Sequence, residues 1–173
     1  MSFYLDSRRV RFRKAGWGDV TAMHALDALL FPPHSSYDMD TFLNLMFDES
    51  VTMIVAQAGE EIAGFMIVSI GPEKEASALT IDIEPAFQKK GLGNRLMALA
   101  ERLARFRKME AMVLQVSTAN TGAMRFYERR GYDRIRFMKG YYGGLEDGWE
   151  MEKKLTAGPG GRAAGQGQIS LAP

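Results

Sequence analysis

The sequence has no cysteine among its 173 residues. Without a thiol, the chain cannot form a disulfide, bind a metal through thiolate or use a sulfur nucleophile. Histidine is nearly as scarce and occurs only as His24 and His34. Two isolated imidazoles fall short of a zinc ligand set. We therefore expect no metal, and a chain without disulfides is typical of the reducing cytoplasm.

The sequence also lacks an excess of charge of either sign. Its 22 Lys and Arg residues stand against 21 Asp and Glu residues, for a formal net charge of +1. Nucleic acids and acidic membrane surfaces attract strongly basic proteins, so we expect no nucleic-acid and no membrane partner. The first thirteen residues contain no apolar run that would serve as a signal peptide or an anchor. A cytoplasmic location is the expectation, and any anion site must be local.

Length and composition predict one folded domain over residues 1–155 followed by a disordered tail. The chain is long enough for a single packed core and too short for two independent ones. From residue 156 to residue 173 the sequence turns to Gly, Ala, Gln and Pro with few bulky apolar residues. Such a segment cannot offset the entropy lost on ordering.

Apolar spacing predicts strands that alternate with helices. Alternating or continuous apolar runs favour strands over residues 10–13, 51–56, 62–70, 77–84, 112–116, 134–139 and 149–155. Helices are expected after the N-cap residues Asp19 and Asp38, from Leu92 to Phe106, and from Asn120 to Arg130. The order indicates a mixed α/β sheet that begins antiparallel and is parallel around the long helix.

Two details of this assignment concern packing and turns. In the long helix, one stripe is expected to pack on the sheet, namely Leu92, Leu96, Leu99, Leu103 and Phe106. The last two strands are expected to be separated by the glycine-rich segment 140–148.

A basic, glycine-containing loop lies between the fourth strand and the long helix, with the sequence Gln88-Lys89-Lys90-Gly91-Leu92-Gly93-Asn94. The first amides of a helix have no partner within it, and the helix dipole favours negative charge there. Two glycines allow a phosphate to approach the backbone closely. The loop lacks the Lys-Ser/Thr ending of a nucleotide P-loop and the third glycine of a dinucleotide fingerprint. The sequence therefore predicts a phosphate-bearing ligand other than ATP or NAD.

Two motifs in this order resemble the signatures of the GNAT superfamily of acyl-CoA N-acetyltransferases. The first is the Gln88 to Gly93 loop, and the second is Asn120 followed by Phe126-Tyr127-Glu128-Arg129-Arg130-Gly131-Tyr132. Within the superfamily, the pairs Tyr141-Tyr142 and Glu146-Asp147 resemble the last hairpin of the ribosomal-protein N-terminal alanine acetyltransferases. The resemblance implies an enzyme that uses acetyl-CoA as co-substrate.

The fold implied by this resemblance is an α/β (α+β) mixed sheet of about seven strands with four helices. The sheet would be mostly antiparallel, with a central parallel pair splayed around CoA. Backbone amides of the loop would bind the pyrophosphate, contributed by Lys89, Lys90, Gly91, Leu92, Gly93 and Asn94. Backbone edges of Ile81, Asp82 and Ile83 would hold the pantetheine and the acetyl carbonyl, and Asn120 would contact the CoA arm.

Acetyl transfer to an amine requires a neutral amine and a proton for the departing thiolate. Tyr127 is suited to donate the proton to the thiolate, and the resemblance implies the same role. The related enzymes place a glutamate base where this chain has Gln115, and an amide cannot accept that proton. Because a free α-amine has a pKa near 7.7–8.0, a strong base is not compulsory. Asp82 or Glu84, acting through a water, are the candidate substitutes, with Glu84 better explained as a solvated strand-end carboxylate.

The acceptor is expected to be a protein or peptide N-terminus, bound by Tyr37, Gln115, Tyr141 and Tyr142. Aromatic rings with a polar tip suit a short peptide, and Glu146 and Asp147 would attract its cationic amine. His24 and His34 are interpreted as a helix-face residue and a loop residue.

Three alternatives stay open at this point, and so does the oligomeric state, monomer or homodimer. The first is a small-amine acceptor such as a polyamine, an amino acid or an aminoglycoside. The second is a silent acyl-CoA-binding module, which is consistent with the Gln115 substitution. A nucleotide-binding domain that uses the same loop is the third alternative.

Overall fold

The computed structural model describes residues 10–155, so the expected tail at 156–173 lies outside the described residues. Within this range the chain forms seven strands and four α-helices. The strands are β1 (Val10–Lys14), β2 (Val51–Ala58), β3 (Glu61–Ile70), β4 (Glu75–Ile83), β5 (Ala111–Ser117), β6 (Asp133–Tyr142) and β7 (Glu146–Lys154). The helices are α1 (Val20–Leu30), α2 (Met39–Phe47), α3 (Leu92–Phe106) and α4 (Thr121–Arg129).

The seven strands form one mixed sheet in the order β1-β2-β3-β4-β5-β7-β6. Every adjacent pair is antiparallel except β4 and β5, which are parallel. These two strands pair only from Glu75–Ala78 to Ala111–Leu114. Beyond Ala78 they separate, and a gap opens in the middle of the sheet. The predicted mixed sheet with a splayed parallel pair is confirmed.

Helices cover the sheet on both faces and produce two buried clusters. On one face α3 and α4 pack against β3, β4 and β5, around Leu96, Met97 and Met112. On the other face α1 and α2 pack against β2, β3 and β4, around Met23 and Phe42. No helix of residues 10–155 is both long and apolar enough to cross a membrane.

The stripe predicted for α3 is partly wrong. Phe106 is 72% exposed, whereas the buried positions are Leu92, Leu96, Met97, Ala100, Glu101 and Ala104. An α-helix has 3.6 residues per turn, whereas positions spaced alternately by four and three residues repeat about every 3.5. Such a set of positions therefore drifts around the helix along its length. The buried Glu101 is held by ion pairs with Arg130 and Lys153, at 2.9 Å each.

Two turn predictions are also corrected. Asp19 does precede α1, but its carboxylate accepts from Gly16 N at 2.7 Å and from Arg13 at 2.6 Å instead of capping the helix. Asp38, by contrast, does cap α2 by accepting from Thr41 N at 2.8 Å. The segment 140–148 is largely strand, because β6 runs through Tyr142 and β7 resumes at Glu146.

Candidate active site

A β-bulge in β4 shapes the gap between β4 and β5. Ile67 of β3 pairs with Thr80 and Val68 pairs with Ala78, so Leu79 is an extra residue. The bulge inverts the alternation that follows, since Ile81 packs towards α3 while Asp82 is buried on the α1 side. From Leu79 to Ile83, the edge of β4 that faces β5 has no strand partner. Backbone groups on that edge are available to a ligand lying in the gap.

Gly64 allows β3 to pass close behind this edge. A side chain at Gly64 would place its Cβ 2.6 Å from the carbonyl oxygen of Asp82 and 3.3 Å from the Cα of Ile83. Any other residue would therefore push β4 out of place. Sequence reasoning did not single out Gly64, although a glycine within a strand signals a close backbone approach.

The loop before α3 has the geometry of an anion site. Gly91 is the N-cap residue with φ 82°, a left-handed conformation that favours glycine, and it offers no side chain to the first-turn amides. Lys89 and Lys90 are exposed on the same loop. Asn94 lies in the first turn, where its side chain accepts from Arg130 at 3.1 Å. The structure thus brings the predicted pyrophosphate residues to one helix N-terminus.

Tyr127 of α4 lies in the cluster on the α3 side of the sheet, close enough to Asp82 for the charge of that carboxylate to act on it. Its side chain is buried, with ring centroids 5.2 Å from Phe126 and 5.9 Å from Tyr132. Burial raises the pKa of the Tyr127 phenol well above its usual value, and the nearby negative charge of Asp82 raises it further. Tyr127 therefore keeps its proton through the neutral range. Asn120 begins α4 and accepts from Ala123 N at 3.0 Å, as a predicted cap.

Neither candidate base is a solvated strand-end carboxylate. Asp82 is fully buried, and burial raises its pKa to about 8. Thr80 donates to its Oδ1 at 2.6 Å. Glu84 is half-buried, and its Oε2 is buried with no hydrogen-bond partner among the described residues, so the solvated interpretation of Glu84 is wrong.

Two tyrosines from distant segments meet on the α1–α2 side of the gap. Tyr37, between α1 and α2, donates to the carbonyl oxygen of Leu79 at 3.3 Å, and burial raises its pKa to about 12. Tyr142 is half-buried at the end of β6, and burial followed by the charges of Tyr141, Tyr127 and Tyr37 raises its pKa. A Cβ at Gly143, the residue after Tyr142, would lie 3.1 Å from the Cβ of His34, which places the end of β6 against the α1–α2 connection.

Gly148 makes room for the Tyr142 ring. A Cβ at Gly148 would lie 3.3 Å from the ring of Tyr142 and 3.5 Å from the carbonyl oxygen of Val116. Tyr141 is 46% exposed and stacks edge-on against Tyr142 at 5.0 Å between centroids. The two tyrosines thus differ in exposure, since Tyr142 is half-buried against Gly148 and Tyr141 is exposed to solvent.

A hydrogen bond joins the two segments that flank this side of the gap. His34 Nε2 lies 3.0 Å from Glu146 Oε1, and Ser117 Oγ donates to Glu146 Oε2 at 2.7 Å. Hydrogen bonds from Ser117 and His34 lower the pKa of Glu146. The sequence interpretation of His34 as a plain loop residue missed this contact, because no local pattern connects residues 112 positions apart.

Gln115 lies on the same face and is fixed by a polar chain. Its Nε2 donates to Glu150 Oε2 at 3.1 Å, and Arg136 binds the same Glu150 carboxylate at 2.9 Å. Hydrogen bonds from Arg136 and Gln115 lower the pKa of Glu150. Gln115 is therefore a neutral hydrogen-bond donor on the side of the gap where Tyr37 and Tyr142 lie, which is called the acceptor side below.

Other sites on the molecule carry less chemistry. No group of three or more His, Asp or Glu residues within 10–155 is arranged to hold a metal. A groove of about 400 Å³ lies away from the gap, beside Trp17, Met46 and Phe47. Its walls are mostly apolar and bring together no constellation of acid, base and nucleophile.

Comparison with known proteins gives the gap its context. Residues 20–132 match the family model described as Acetyltransferase (GNAT) family. The catalytic subunit NAA20 of the N-terminal acetyltransferase B complex from Arabidopsis thaliana is 28% identical over 57% of this chain and 59% of its own length. The chain thus matches under two thirds of that relative.

Two further proteins match over more of their length. The N-alpha-acetyltransferase RimI of Mycobacterium tuberculosis is 28% identical over 72% of this chain and 78% of its own. The solved structure of the ribosomal-protein-S18-alanine N-acetyltransferase from Escherichia coli superposes with a TM-score of 0.75, at 23% identity over 87% of this chain and 97% of that one. This chain belongs to the GNAT family of acetyltransferases.

Proposed function

We propose that this enzyme acetylates the N-terminal α-amine of a protein or peptide, by direct attack of the amine in a ternary complex. The observation that carries the proposal is the walled acceptor side of the gap. Tyr37, Tyr142 and the His34–Glu146 pair stand around it, on the face opposite α3 and α4. The relatives are named as N-terminal, N-alpha- or ribosomal-protein-alanine acetyltransferases, and these names support the same acceptor.

The donor side supplies groups that fit CoA. The uncapped first turn of α3, with Lys89 and Lys90 beside it, would hold the pyrophosphate. The unpaired edge of Ile81 to Ile83 would hold the pantetheine and the acetyl carbonyl. Asn120, at the start of α4, would contact the CoA arm. Acetyl-CoA supplies an acetyl group activated as a thioester, and every other role falls to the chain.

Asp82 is the proposed acceptor of the proton that the ammonium must lose. Its pKa of about 8 is close to the 7.7–8.0 of a free α-amine, so proton transfer between the two groups is nearly balanced in free energy. Because Asp82 is fully buried, one water relays the proton: the N–H bond of the ammonium breaks, the water takes that proton and gives one of its own, and an O–H bond forms on ionised Asp82. Gln115 does not take this role, because it is an amide that already donates to Glu150.

Tyr127 is the proposed donor to the leaving sulfur. Because its pKa is raised, the phenol is protonated at neutral pH, and giving its proton to the thiolate leaves neutral thiol. The tyrosinate that results is unfavourable in this buried position and regains a proton from the acetylated nitrogen or from water. Tyr127 therefore ends each cycle as it began.

Tyr37, Tyr142 and Gln115 would orient the first residues of the acceptor. Hydroxyl groups and an amide can bind a peptide backbone, while the exposed Tyr141 packs outside Tyr142. Glu146 would draw the cationic amine towards the gap.

The test is a thiol-release assay with acetyl-CoA and a panel of acceptors. The panel holds peptides that begin with Ala, Ser or Met, the same peptides with a blocked α-amine, and free polyamines and aminoglycosides. We expect release only with the unblocked peptides. Thiol release with small amines alone would reject the peptide acceptor in favour of a small amine. No thiol release with any acceptor, together with intact CoA binding measured by calorimetry, would indicate a silent acyl-CoA-binding module.

A further inference from the structure

Two buried carboxyl groups lie near one another beneath the gap, although no motif singles them out as a pair. Asp27 of α1 is 1% exposed and Asp82 of β4 is 0% exposed. They lie close enough for each carboxyl to act on the pKa of the other, where α1 packs on the sheet. Ionised carboxylates offer only acceptors to one another, so a hydrogen bond between the two requires a proton on one of them.

The remaining hydrogen bonds of the pair leave a place for that proton. Tyr37 N donates to Asp27 Oδ2 at 2.8 Å, and Thr80 Oγ1 donates to Asp82 Oδ1 at 2.6 Å. The second oxygen of Asp82, Oδ2, is buried and has no donor among the described residues. A buried acceptor without a donor is costly, and a proton shared with Asp27 removes that cost.

The surroundings of the pair do not neutralise two negative charges. None of the ion pairs found within residues 10–155 includes Asp27 or Asp82. The titratable groups that face the pair are His24 of α1, near Asp27, and Tyr37 and Tyr127, near Asp82. The rest of the packing on this side is apolar, with Met23, Phe42 and Phe65 fully buried.

We propose that Asp27 and Asp82 hold one proton between them, and that this acid pair fastens the α1–α2 connection to β4 and so positions Tyr37 beside the gap. Tyr37 fixes the connection through two hydrogen bonds, because its backbone N–H donates to the Asp27 carboxylate and its hydroxyl donates to the carbonyl oxygen of Leu79 in the bulge. Asp27 is thus a positioning residue. Its effect on acetyl transfer rests on the proposed function, whereas proton sharing does not.

The shared proton makes a prediction about stability that needs no assay of activity. Burial raises the pKa of both carboxyls, that of Asp82 to about 8, against roughly 3.9 in an unfolded chain. Between these values the folded protein keeps a proton that the unfolded chain has lost. The contribution of the pair to stability is therefore largest at low pH and falls as pH rises, by up to about tenfold in the unfolding equilibrium constant per pH unit, until the folded pKa is passed.

Asp27→Asn tests the pair with little change of shape. Because the Tyr37 N–H occupies one oxygen, the asparagine carbonyl takes that bond and its amide group donates to Asp82. Asp82 can then stay ionised, so we expect the unfolding constant of the variant to lose most of its rise between pH 5 and pH 8. Asp133→Asn, on the exposed start of β6, removes the same charge and is expected to keep the wild-type slope.

Urea denaturation of the full chain across this pH range measures both slopes. Equal slopes in wild type and Asp27→Asn would overturn the shared proton. If the variant does not fold, infrared spectra of the wild type decide the question, because a protonated carboxyl has its own carbonyl band. We expect that band at pH 7 and its loss in Asp82→Asn, and its absence from the wild type would overturn the proposal.

Acetyl transfer by Asp27→Asn separates positioning from general damage. We expect the KM for the peptide to rise at least about fivefold while the KM for acetyl-CoA stays constant, and the pH limb of kcat to move to lower pH because the pKa of Asp82 falls. Unchanged peptide KM and an unmoved limb would refute the positioning role. A wild type that acetylates no peptide yet shows the stability slope would refute the proposed function and leave the pair intact.

Discussion

The donor side and the acceptor side of the gap are built in different ways. Most of the donor side is local in sequence, since one loop and the first turn of α3 supply the anion site over residues 88–94. The acceptor side joins Tyr37, Tyr142 and the His34–Glu146 pair from segments about a hundred residues apart. Proteins built in this way can therefore conserve the binding of the co-substrate through one short motif, while their specificity for the acceptor changes through substitutions in two distant segments.

The largest expected effect of a single substitution lies on the donor side. Gly91→Glu forces a side chain into a left-handed backbone, at roughly 1–2 kcal/mol, and places a carboxylate where the pyrophosphate would bind. We expect CoA affinity to fall at least about 100-fold, a loss of about 2.7 kcal/mol, measured by calorimetry. Gly59→Glu, in the β2–β3 turn with φ 65°, carries the same strain and charge away from the site. Equal losses in the two variants would contradict the anion site.

Tyr127→Phe tests the group that lies between the two sides. Removing a general acid lowers the rate about 100-fold or more, so kcat should fall by that amount while CoA affinity changes less than about twofold. The matched control is Tyr132→Phe, which removes a buried hydroxyl from the neighbouring ring, 5.9 Å away. Steady-state kinetics and calorimetry make the comparison. Unchanged turnover in Tyr127→Phe would exclude this tyrosine as the proton donor.

His34→Ala probes the acceptor side without altering the CoA site. The loss of the His34–Glu146 contact should loosen the wall of the gap and raise the peptide KM about tenfold, or about 1.4 kcal/mol, with the acetyl-CoA KM unchanged. Lys74→Ala removes an ion pair to Glu110 of 2.6 Å on a remote exposed surface and should change neither KM. Parallel shifts of both KM values in His34→Ala would show that the two sides are not separable.

Gln115→Glu should have the smallest effect on turnover. It places a carboxylate at the position where the resemblance implies a glutamate base, and this carboxylate would face Glu150, which Gln115 binds in the wild type. If Asp82 already takes the proton, a second base adds little, so kcat at pH 8 should change less than about threefold. A rise of tenfold or more, measured with peptide at saturation, would show that Asp82 does not act as the base.

Sequence reasoning predicted the mixed sheet and the glycine-containing start of α3 because both have local signatures. The alternation of β2 and β3, the loop at Gly91 and the cap at Asn120 each depend on residues a few positions apart. The stripe of α3 was only partly right, because drift around the helix brings Glu101 inward towards Arg130.

The remaining features arise from contacts that no local pattern contains. The Asp27–Asp82 pair joins a helix to a strand, and His34 of the α1–α2 connection contacts Glu146 at the start of β7. Asp82 could be selected as a candidate by its place beside the acetyl site, but its burial depends on the extra residue Leu79, which turns the following side chains over. A bulge of that kind is settled by packing on both faces of the sheet.

The central claim is that the acetyl group goes to an N-terminal α-amine, and one peptide with two amines tests it directly. The peptide begins with Ala, carries an internal lysine, and is incubated with enzyme and acetyl-CoA beside a twin whose α-amine is blocked. Fragment-ion mass spectrometry locates the added acetyl group. We predict acetylation of the first residue alone and no product from the blocked twin. Acetyl-lysine in either peptide, at a rate equal to that of the α-amine, would contradict the account.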